Sequence, residues 1–188
     1  MTRDSIVEPL TPLWTHSEGR EVSLPKRLAA LYGRLTLPAP RAKPFFYSNF
    51  VTTLDGVVSL RVAGHANGGD ISGFSIQDRM VMGLLRALAD AVIVGSGTLA
   101  ADSSHVWTPE AICPELARDY RLLRIAQGKP STPINVIVSG SGNLNLRLPV
   151  FRSGKTRVLI FTTRAGAGRL ARQGIPDAVE IRTLKAES

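Results

Sequence analysis

The sequence predicts an α/β protein with a largely parallel sheet. Short, continuous apolar runs, which are typical of buried parallel strands, alternate with segments whose apolar residues recur at helical spacing. The chain has 188 residues, of which 44% are hydrophobic and 20% are charged. That balance is typical of a folded globular protein, and the length suits one domain with a sizeable core.

Membrane-spanning and secreted proteins are disfavoured by the sequence. No stretch approaches the roughly 20 uninterrupted apolar residues that a membrane span needs. The N-terminal segment MTRDSIVEPL lacks the apolar core of a signal peptide. Because Cys113 is the single cysteine, no intramolecular disulfide can form, which fits a reducing compartment. We therefore expect a cytoplasmic protein with no membrane partner.

The net charge of +8, from 23 basic and 15 acidic residues, admits two interpretations. A basic excess serves proteins that bind nucleic acid and proteins that bind small anions such as phosphates. Here the lysines and arginines are scattered, with no compact basic run and no basic stripe interleaved with aromatic residues. We therefore expect a solvated basic surface and no nucleic-acid partner.

Residues 1–43 are predicted to form an N-terminal arm, because prolines recur through it and limit both helix and strand. One helix is predicted inside the arm, with Ser23 as its cap and Pro25 in its first turn. Its leucines fall at helical spacing: Leu28, Leu31 and Leu35. We expect the arm to pack across the body or across a partner subunit. The body, residues 44–188, is predicted to be one α/β domain.

The body begins with a predicted strand over residues 45–51, which are aromatic and β-branched. Asp55-Gly56 then predicts a tight turn into a second short strand over residues 57–60. Residues 61–73 are rich in glycine and are predicted to form a loop.

The clearest predicted helix covers residues 75–89. Its apolar side chains form one stripe: Ile76, Met80, Leu84 and Leu88. Ser75 is the expected N-cap, and Asp78 stands three residues on, where a capping box places an acidic residue. The apolar run over residues 91–94 then predicts a fully buried strand.

The rest of the body continues the alternation of helices and strands. Helices are predicted over residues 109–127 and 163–173, and Gly174 ends the second. Strands are predicted over residues 134–138, 157–161 and 179–181. Elements in this order build a mostly parallel sheet flanked by helices.

The end of the strand at residues 91–94 is the first candidate site. The strand leads directly into Gly95-Ser96-Gly97-Thr98, and ligands of open α/β sheets bind beyond the carboxyl ends of strands. Glycines let backbone N–H groups approach a phosphate closely, and the Thr98 hydroxyl can add a hydrogen bond. The alternative is a structural turn that needs small residues, since neither a full dinucleotide fingerprint nor a P-loop is present.

Two further positions are candidates, each with a plain structural alternative. Asp55 follows the first predicted strand of the body and is otherwise an ordinary Asp-Gly turn residue. Arg86 lies on the helix that leads into the glycine strand, and its planar guanidinium suits a phosphate. Its alternative is a surface arginine. The histidines are isolated from one another and from Cys113, so we expect no metal site.

Taken together, four segments resemble the reductase domain of riboflavin biosynthesis. They are VTTLDG (51–56), GGDISG (68–73), SIQDRMVMGLLRALADAVIVGSGTLAAD (75–102) and INVIVSGSGNL (134–144). This domain is the C-terminal part of the bifunctional deaminase-reductase family and has the dihydrofolate-reductase-like fold. The resemblance covers about residues 45–183, and its motifs are specific as an ordered set.

The resemblance implies a reduction that uses NADPH and acts on a phosphoribosylamino-pyrimidine. A hydride would reach the ribose C1′ of a substrate like 5-amino-6-(5-phosphoribosylamino)uracil. The protein would supply binding and alignment, since hydride transfer is the cofactor's chemistry. By matched position, Val51 and Thr53 would line the nicotinamide end of the cofactor, and Asp55 would lie beside the reacting centre.

The remaining matched positions complete the expected site. Thr98 and Asp102 match positions that contact the cofactor, and Ser139 matches the position that meets the 2′-phosphate of NADPH. Arg86 matches a substrate-binding arginine. The glycine-rich loop supplies two more expected contacts to the substrate: Asp70 and Ser72.

Two departures from the family pattern leave a second hypothesis open. Many relatives carry Asp-Asp-Pro after the glycine strand, whereas here Asp102 is followed by Ser103-Ser104-His105. Nothing after Glu180 matches the late Glu-Gly-Gly turn of the family, so we expect a sheet that lacks its C-terminal strands. The main hypothesis is a homodimeric NADPH-dependent reductase. The alternative is a non-catalytic module that binds a phosphorylated ligand or a partner chain through an open sheet edge.

Overall fold

A computed structural model of the chain describes residues 7–14, 18–39, 43–58, 60 and 67–184. The elements follow one another in this order: β1 (Arg20–Glu21), α1 (Lys26–Tyr32), β2 (Thr36–Leu37), α2 (Asn67–Ser72), α3 (Ile76–Leu88), β3 (Ala91–Gly95), α4 (Ser96–Ala101), α5 (Pro109–Ile112), a 3-10 turn (Pro114–Leu116), α6 (Ala117–Ala126), β4 (Ile134–Ser139), α7 (Pro149–Arg152), β5 (Val158–Thr162), α8 (Arg164–Ala171) and β6 (Val179–Thr183). Among these residues, no helix has the length and apolarity that a membrane crossing needs.

The main sheet confirms the predicted α/β class. Its four strands run parallel in the order β3-β4-β5-β6, so each strand pairs with its neighbour in the chain. The register pairs Ile93 with Val136 and Val136 with Leu159. All four strands lie where apolar runs predict them. The prediction that residues 91–94 are fully buried is wrong: Val94 alone of these four is buried, and Ile93 is 57% exposed, because its side chain lies on the opposite face of the sheet.

Helix α3 begins and ends as its sequence predicts. The Ser75 side chain accepts a hydrogen bond from the Asp78 backbone N–H at 3.3 Å, which satisfies one of the free donors of the first turn. The apolar stripe of the helix is buried, with Met80 and Leu84 fully inaccessible. These side chains belong to a core that lies beside the sheet.

The arm packs onto this same core. Strands β1 and β2 pair antiparallel, and Leu28 and Leu31 of α1 join Met80 and Leu84 in one cluster. The expected cap at Ser23 is wrong. The N-cap position is Pro25, whose extended ψ of 146° starts the helix one residue later, and no side chain caps it.

The expected strand over residues 45–51 is also wrong. The segment has no strand pairing in the structure, and Phe45, Phe46 and Phe50 are exposed. Tyr47 holds the segment against α3, since its hydroxyl donates to the Leu85 carbonyl at 2.7 Å. β-propensity describes how a side chain fits a pleated, half-buried surface. It therefore gives no strand to a segment whose backbone pairs with no other strand.

The Asp-Gly turn that follows is confirmed. Gly56 adopts a positive φ of 87°, and its N–H donates to the Thr53 carbonyl at 3.0 Å. The prediction of a second strand over residues 57–60 is wrong: Val57 and Val58 are exposed and belong to no strand. Ser59 lies outside the described residues.

Two other elements differ from their predictions. Residues 67–72 form helix α2 instead of a loop, while residues 61–66 lie outside the described part of the chain. The single helix predicted over residues 109–127 is divided into α5, the 3-10 turn and α6. Pro114 causes this division, since proline disfavours helical geometry at the preceding Cys113 and offers no backbone N–H.

The two faces of the main sheet are covered to different extents. One face carries Val94, Ile137 and Ile160, which are buried under α7, α8 and the loops around them. We call the opposite face the open face; the alternate residues of the four strands form it: Ala91, Ile93, Gly95, Ile134, Val136, Val138, Leu159, Phe161, Glu180 and Arg182. Ile93 is 57% exposed there and Val138 is 40% exposed.

Candidate functional site

The carboxyl ends of the parallel strands form one candidate edge. Gly95 ends β3 opposite Val138, and Ser139 ends β4 opposite Thr162 at the end of β5. Because all four strands are parallel, the loops after them leave the sheet on the same side. This edge is where ligands of open α/β sheets bind.

Gly95 and Gly97 leave free space at this edge. Gly95 is extended, with φ −77° and ψ 153°, and α4 begins directly after it. A Cβ added at Gly95 or at Gly97 would meet nothing within 4 Å. Neither position has a positive φ. The fold itself therefore requires glycine at neither position, and the space beside both backbones is open to a ligand.

The glycines after β4 and β5 contrast with this pair. Gly142 has a φ of 65°, and a Cβ added to it would lie 2.6 Å from the Gly166 Cα, so the two backbones are in tight contact. Thr163 strengthens the contact by donating its hydroxyl to the Gly140 carbonyl at 2.8 Å. Gly142 and Gly166 are therefore needed for packing.

Ser139 lies inside this packed loop. It is 2% exposed, and its hydroxyl accepts a hydrogen bond from the Gly142 N–H at 3.2 Å. The hydroxyl thus fixes the turn after β4. A contact from Ser139 to a cofactor phosphate stays a prediction.

The buried Arg86 and the partly buried His105 and Asp102 form a polar array next to α4. Arg86 Nη1 donates to His105 Nε2 at 2.6 Å and lies 3.4 Å from the Thr108 carbonyl. Since Arg86 can only donate, Nε2 must carry no proton, and the neutral ring then holds its proton on Nδ1. That nitrogen lies 3.7 Å from Asp102 Oδ2. The array links the end of α3 to the loop that follows α4.

Burial decides the charge states in this array. It lowers the pKa of His105 to about 4; the positive charge of Arg86 lowers this pKa further, and the negative charge of Asp102 raises it. Burial also lowers the pKa of Arg86, to about 10, while Asp102 acts in the other direction. At neutral pH the histidine is therefore neutral and the arginine is charged.

We expect the protein to lose stability as the pH falls from about 6.5 to 4. The folded state disfavours the protonated His105, so the unfolded state binds more protons in this window, and the stability present above pH 6.5 is lost as the histidine titrates. Between pH 7 and pH 5 the wild type should lose about 2 kcal/mol more than His105→Gln, which keeps an acceptor for Arg86 but cannot titrate. Urea unfolding at both values measures the difference. Equal losses in the two proteins would contradict the assigned neutral histidine.

A second group of candidate residues lies at the Asp-Gly turn and on α2. The Thr53 hydroxyl donates to the Asp55 carboxylate and lies 2.9 Å from the Val57 N–H, which donates to it. The Thr53 bond lowers the pKa of Asp55, whose carboxylate is solvent-exposed. Val51 approaches Gly68 of α2, where an added Cβ would lie 3.7 Å from its Cγ1. The same short helix carries Asp70 and Ser72, which are half-buried.

The structure therefore places the predicted residues in two groups. The strand-end group contains Gly95, Gly97, Thr98, Asp102, Ser139 and Arg86. The turn group contains Val51, Thr53, Asp55, Asp70 and Ser72. Thr98 is exposed on α4, and its carbonyl accepts the Asp102 N–H at 3.0 Å. Asp102 thus contacts both α4, through its backbone N–H, and His105, through its carboxylate.

Three supporting residues are missed by the sequence. His105 reads as an isolated histidine, since its partner Arg86 lies on a different element. Asn135 is fully buried and clamps Trp107 by accepting its N–H and donating to its carbonyl, both at 3.1 Å. Arg124 is 1% exposed and binds backbone carbonyls at the end of α3. A buried Asn or Arg gives no sequence signal that separates it from a surface residue.

The fold defines an α/β domain with an open parallel sheet, and the strand-end group of predicted residues lies at the carboxyl ends of its strands. Ligands of this class of domain bind beyond those ends. The model of the RibD C-terminal domain family matches residues 44–181, and the chain belongs to that family. It is a reductase-like domain of the riboflavin-biosynthesis type, with the dihydrofolate-reductase-like fold that the resemblance implies. No curated protein matches the sequence.

Proposed function

We propose that the protein is an NADPH-dependent reductase that transfers a hydride to the ribose C1′ of a substrate like 5-amino-6-(5-phosphoribosylamino)uracil. The observation that supports this most directly is the free space at Gly95 and Gly97. Two glycines without a packing role, at the carboxyl end of a parallel strand, fit a phosphate group that approaches the backbone closely. Membership of a reductase-type family supports the same reading.

The cofactor residues proposed are those around the glycines. Gly95 and Gly97 would admit the phosphates of NADPH, and the exposed Thr98 would donate its hydroxyl to them. Asp102, held by its own contacts to α4 and His105, would fix the loop that closes on the cofactor. Ser139 would contribute through the turn that it holds, and the turn group would contribute Val51 and Thr53 at the nicotinamide end.

When bound, NADPH would supply the hydride, and the chain would bind and orient the substrate. The hydrogen bond from Thr53 lowers the pKa of Asp55 further below neutral, so its carboxylate is suited to accept a hydrogen bond from the substrate and orient it. Arg86 would bind the substrate phosphate. Both of its described hydrogen bonds use Nη1, so the Nη2 side of the planar fork is the side proposed for the phosphate. Asp70 and Ser72 would contact the rest of the substrate.

The test is a fluorescence titration of NADPH against the wild type, Thr98→Val and Asp55→Asn. We expect Thr98→Val to weaken NADPH binding by about tenfold, the cost of one hydrogen bond to a charged group. Asp55→Asn should bind NADPH nearly as well and lose most of its turnover with the pyrimidine substrate. Equal NADPH affinity of the wild type and Thr98→Val would contradict the cofactor site.

A second candidate function is a non-catalytic module that binds a phosphorylated ligand or a partner chain. The observation that favours it is the full exposure of the Asp55 carboxylate on its turn, since catalytic carboxylates are usually enclosed. Stopped-flow absorbance separates the two functions. A reductase oxidises NADPH when the substrate is added, whereas a module binds NADPH without oxidising it. The main proposal includes a phosphorylated pyrimidine as substrate, a homodimeric state and a cytoplasmic location.

A further inference from the structure

Arg86 is a buried cation that is held by neutral groups. It is 9% exposed, and its hydrogen bonds with the described residues run from Nη1 to the His105 ring and to the Thr108 carbonyl. Asp102, the carboxylate that acts on its pKa, contacts His105 instead. Buried charges are normally paired with an opposite charge. Within the described part of the chain the guanidinium of Arg86 has no ion-pair partner, which suits it to bind an anionic ligand.

A second buried arginine, Arg124, shows how this fold holds a structural guanidinium. Its Nε and Nη1 donate to the carbonyls of Pro130, Ala87 and Ala89 at 2.6, 3.0 and 2.8 Å. The last two carbonyls lie at the end of α3, where the partial negative charge of a helix end compensates a cation. Arg86 contacts one carbonyl, at 3.4 Å, and its closest partner is an imidazole. It is therefore held by one nitrogen, while the described residues leave the rest of its planar fork unused.

The His105 ring is itself held in one orientation. It packs against Trp107, with the ring centroids 5.3 Å apart and an angle of 73° between the planes. Trp107 is buried, and the Asn135 side chain clamps its backbone with two hydrogen bonds of 3.1 Å. Nδ1 of the histidine lies 3.7 Å from Asp102 Oδ2, which favours the tautomer with its proton on Nδ1 and a lone pair on Nε2. The acceptor for Arg86 is thus in place before a ligand arrives.

We propose that His105 is a positioning residue for the substrate phosphate: its neutral ring fixes Arg86 through Nη1, so that the guanidinium keeps both its direction and its charge for the phosphate. This inference rests on the proposed function, in which Arg86 binds that phosphate. A guanidinium that is already oriented loses little conformational entropy on binding. The neutrality of the acceptor matters because a carboxylate in its place would offset the charge that attracts the phosphate.

Three substitutions of His105 test both parts of this role, with ribose 5-phosphate as the probe. His105→Gln and His105→Glu introduce side chains of the same shape that differ in charge. The glutamine variant keeps a neutral acceptor, so we expect it to bind ribose 5-phosphate within about threefold of the wild type. The glutamate variant should bind it at least about tenfold more weakly, because the new carboxylate pairs with Arg86. His105→Leu removes the acceptor without adding a charge and should fall between them.

Isothermal titration calorimetry on the full chain measures these affinities. Gln173→Glu is the control for charge alone, since it adds the same charge at an exposed position after α8 and should bind ribose 5-phosphate like the wild type. Urea unfolding verifies that each variant is folded in the assay. A structural role alone would make affinity follow the unfolding midpoint, whereas positioning predicts that the glutamate variant binds worst even if it is as stable as the glutamine variant.

Steady-state kinetics with the pyrimidine substrate give a second readout. His105→Glu should raise KM about tenfold and leave kcat within about twofold, since the phosphate on C5′ takes no part in the reaction at C1′. The affinity for NADPH should fall less than about threefold, because Asp102 keeps its backbone hydrogen bond to α4. A loss of NADPH affinity as large as the loss of ribose 5-phosphate affinity would assign His105 to the cofactor loop and overturn the proposal.

Two further results would overturn it. One is equal affinity of His105→Gln and His105→Glu for ribose 5-phosphate, and the other is a wild type that binds ribose 5-phosphate no better than ribose. Neither result depends on NADPH, so the failure of this proposal is distinct from the failure of the reductase. A protein that shows the expected order of ribose 5-phosphate affinities and does not oxidise NADPH would support the role of His105 and contradict the proposed function.

Discussion

Gly97→Ala is expected to make the protein more stable and to weaken its binding of NADPH at the same time. Gly97 lies within α4 without a positive φ, and a Cβ there would meet nothing within 4 Å. Alanine in place of a helical glycine raises the free energy of unfolding by about 0.5–1 kcal/mol. The same methyl group would occupy the space proposed for a phosphate, so we expect NADPH affinity to fall at least about tenfold.

Gly168→Ala is the matched control for this substitution. Gly168 lies within α8, has no positive φ, and a Cβ there also meets nothing within 4 Å. It should gain the same stability and bind NADPH like the wild type. Urea unfolding and fluorescence titration of both variants separate the two effects. Unchanged NADPH affinity in Gly97→Ala would remove the main support for a cofactor site at this helix.

Arg124→Leu is expected to cost about 3 kcal/mol of stability. The guanidinium is buried, and Nη1 donates to the Ala87 and Ala89 carbonyls at 3.0 and 2.8 Å while Nε donates to the Pro130 carbonyl at 2.6 Å. Burial lowers the pKa of Arg124, yet an arginine keeps its charge in proteins. Leucine would leave the buried Ala87 carbonyl and the partly buried Ala89 and Pro130 carbonyls without this donor.

Arg121→Leu on the exposed side of the same helix is the control for Arg124→Leu. It removes the same charge and adds the same apolar group, so its unfolding free energy should stay within about 0.5 kcal/mol of the wild type. Arg124→Lys should recover part of the loss, since an ammonium can reach some carbonyls but not all. If both leucine variants unfold alike in urea, Arg124 does not hold the end of α3.

The four parallel strands and helix α3 could be predicted because local patterns determine them. A short β-branched run such as residues 91–94 favours a strand by itself, and Ser75 caps its helix within three residues. The segment over residues 45–51 could not be predicted, since a strand forms only where the segment pairs with another strand, and no local pattern specifies that pairing. The division of the helix predicted over residues 109–127 could have been predicted from Pro114. The helical spacing of the apolar residues on both sides favoured a single helix instead.

The candidate site was predicted in its parts and not in its arrangement. Gly95 and Gly97 follow a strand directly, so their place at the sheet edge follows from the chain order. Arg86 and Asp102 lie 16 positions apart along the chain, and their connection runs through His105, which no motif marks. Contacts made by folding between side chains on different elements have no counterpart in local spacing.

The core shared by α1 and α3 has a consequence for the limits of this domain. The family match begins at residue 44, whereas Val22, Leu28, Leu31 and Leu35 all precede it and pack into the same cluster as Met80 and Leu84. The region that matches the family, residues 44–181, is therefore smaller than the region that forms this hydrophobic core, which also includes α1. A chain trimmed to the shared region would expose one side of α3 to water, so any recombinant form meant to keep the native helix packing needs the residues before position 44.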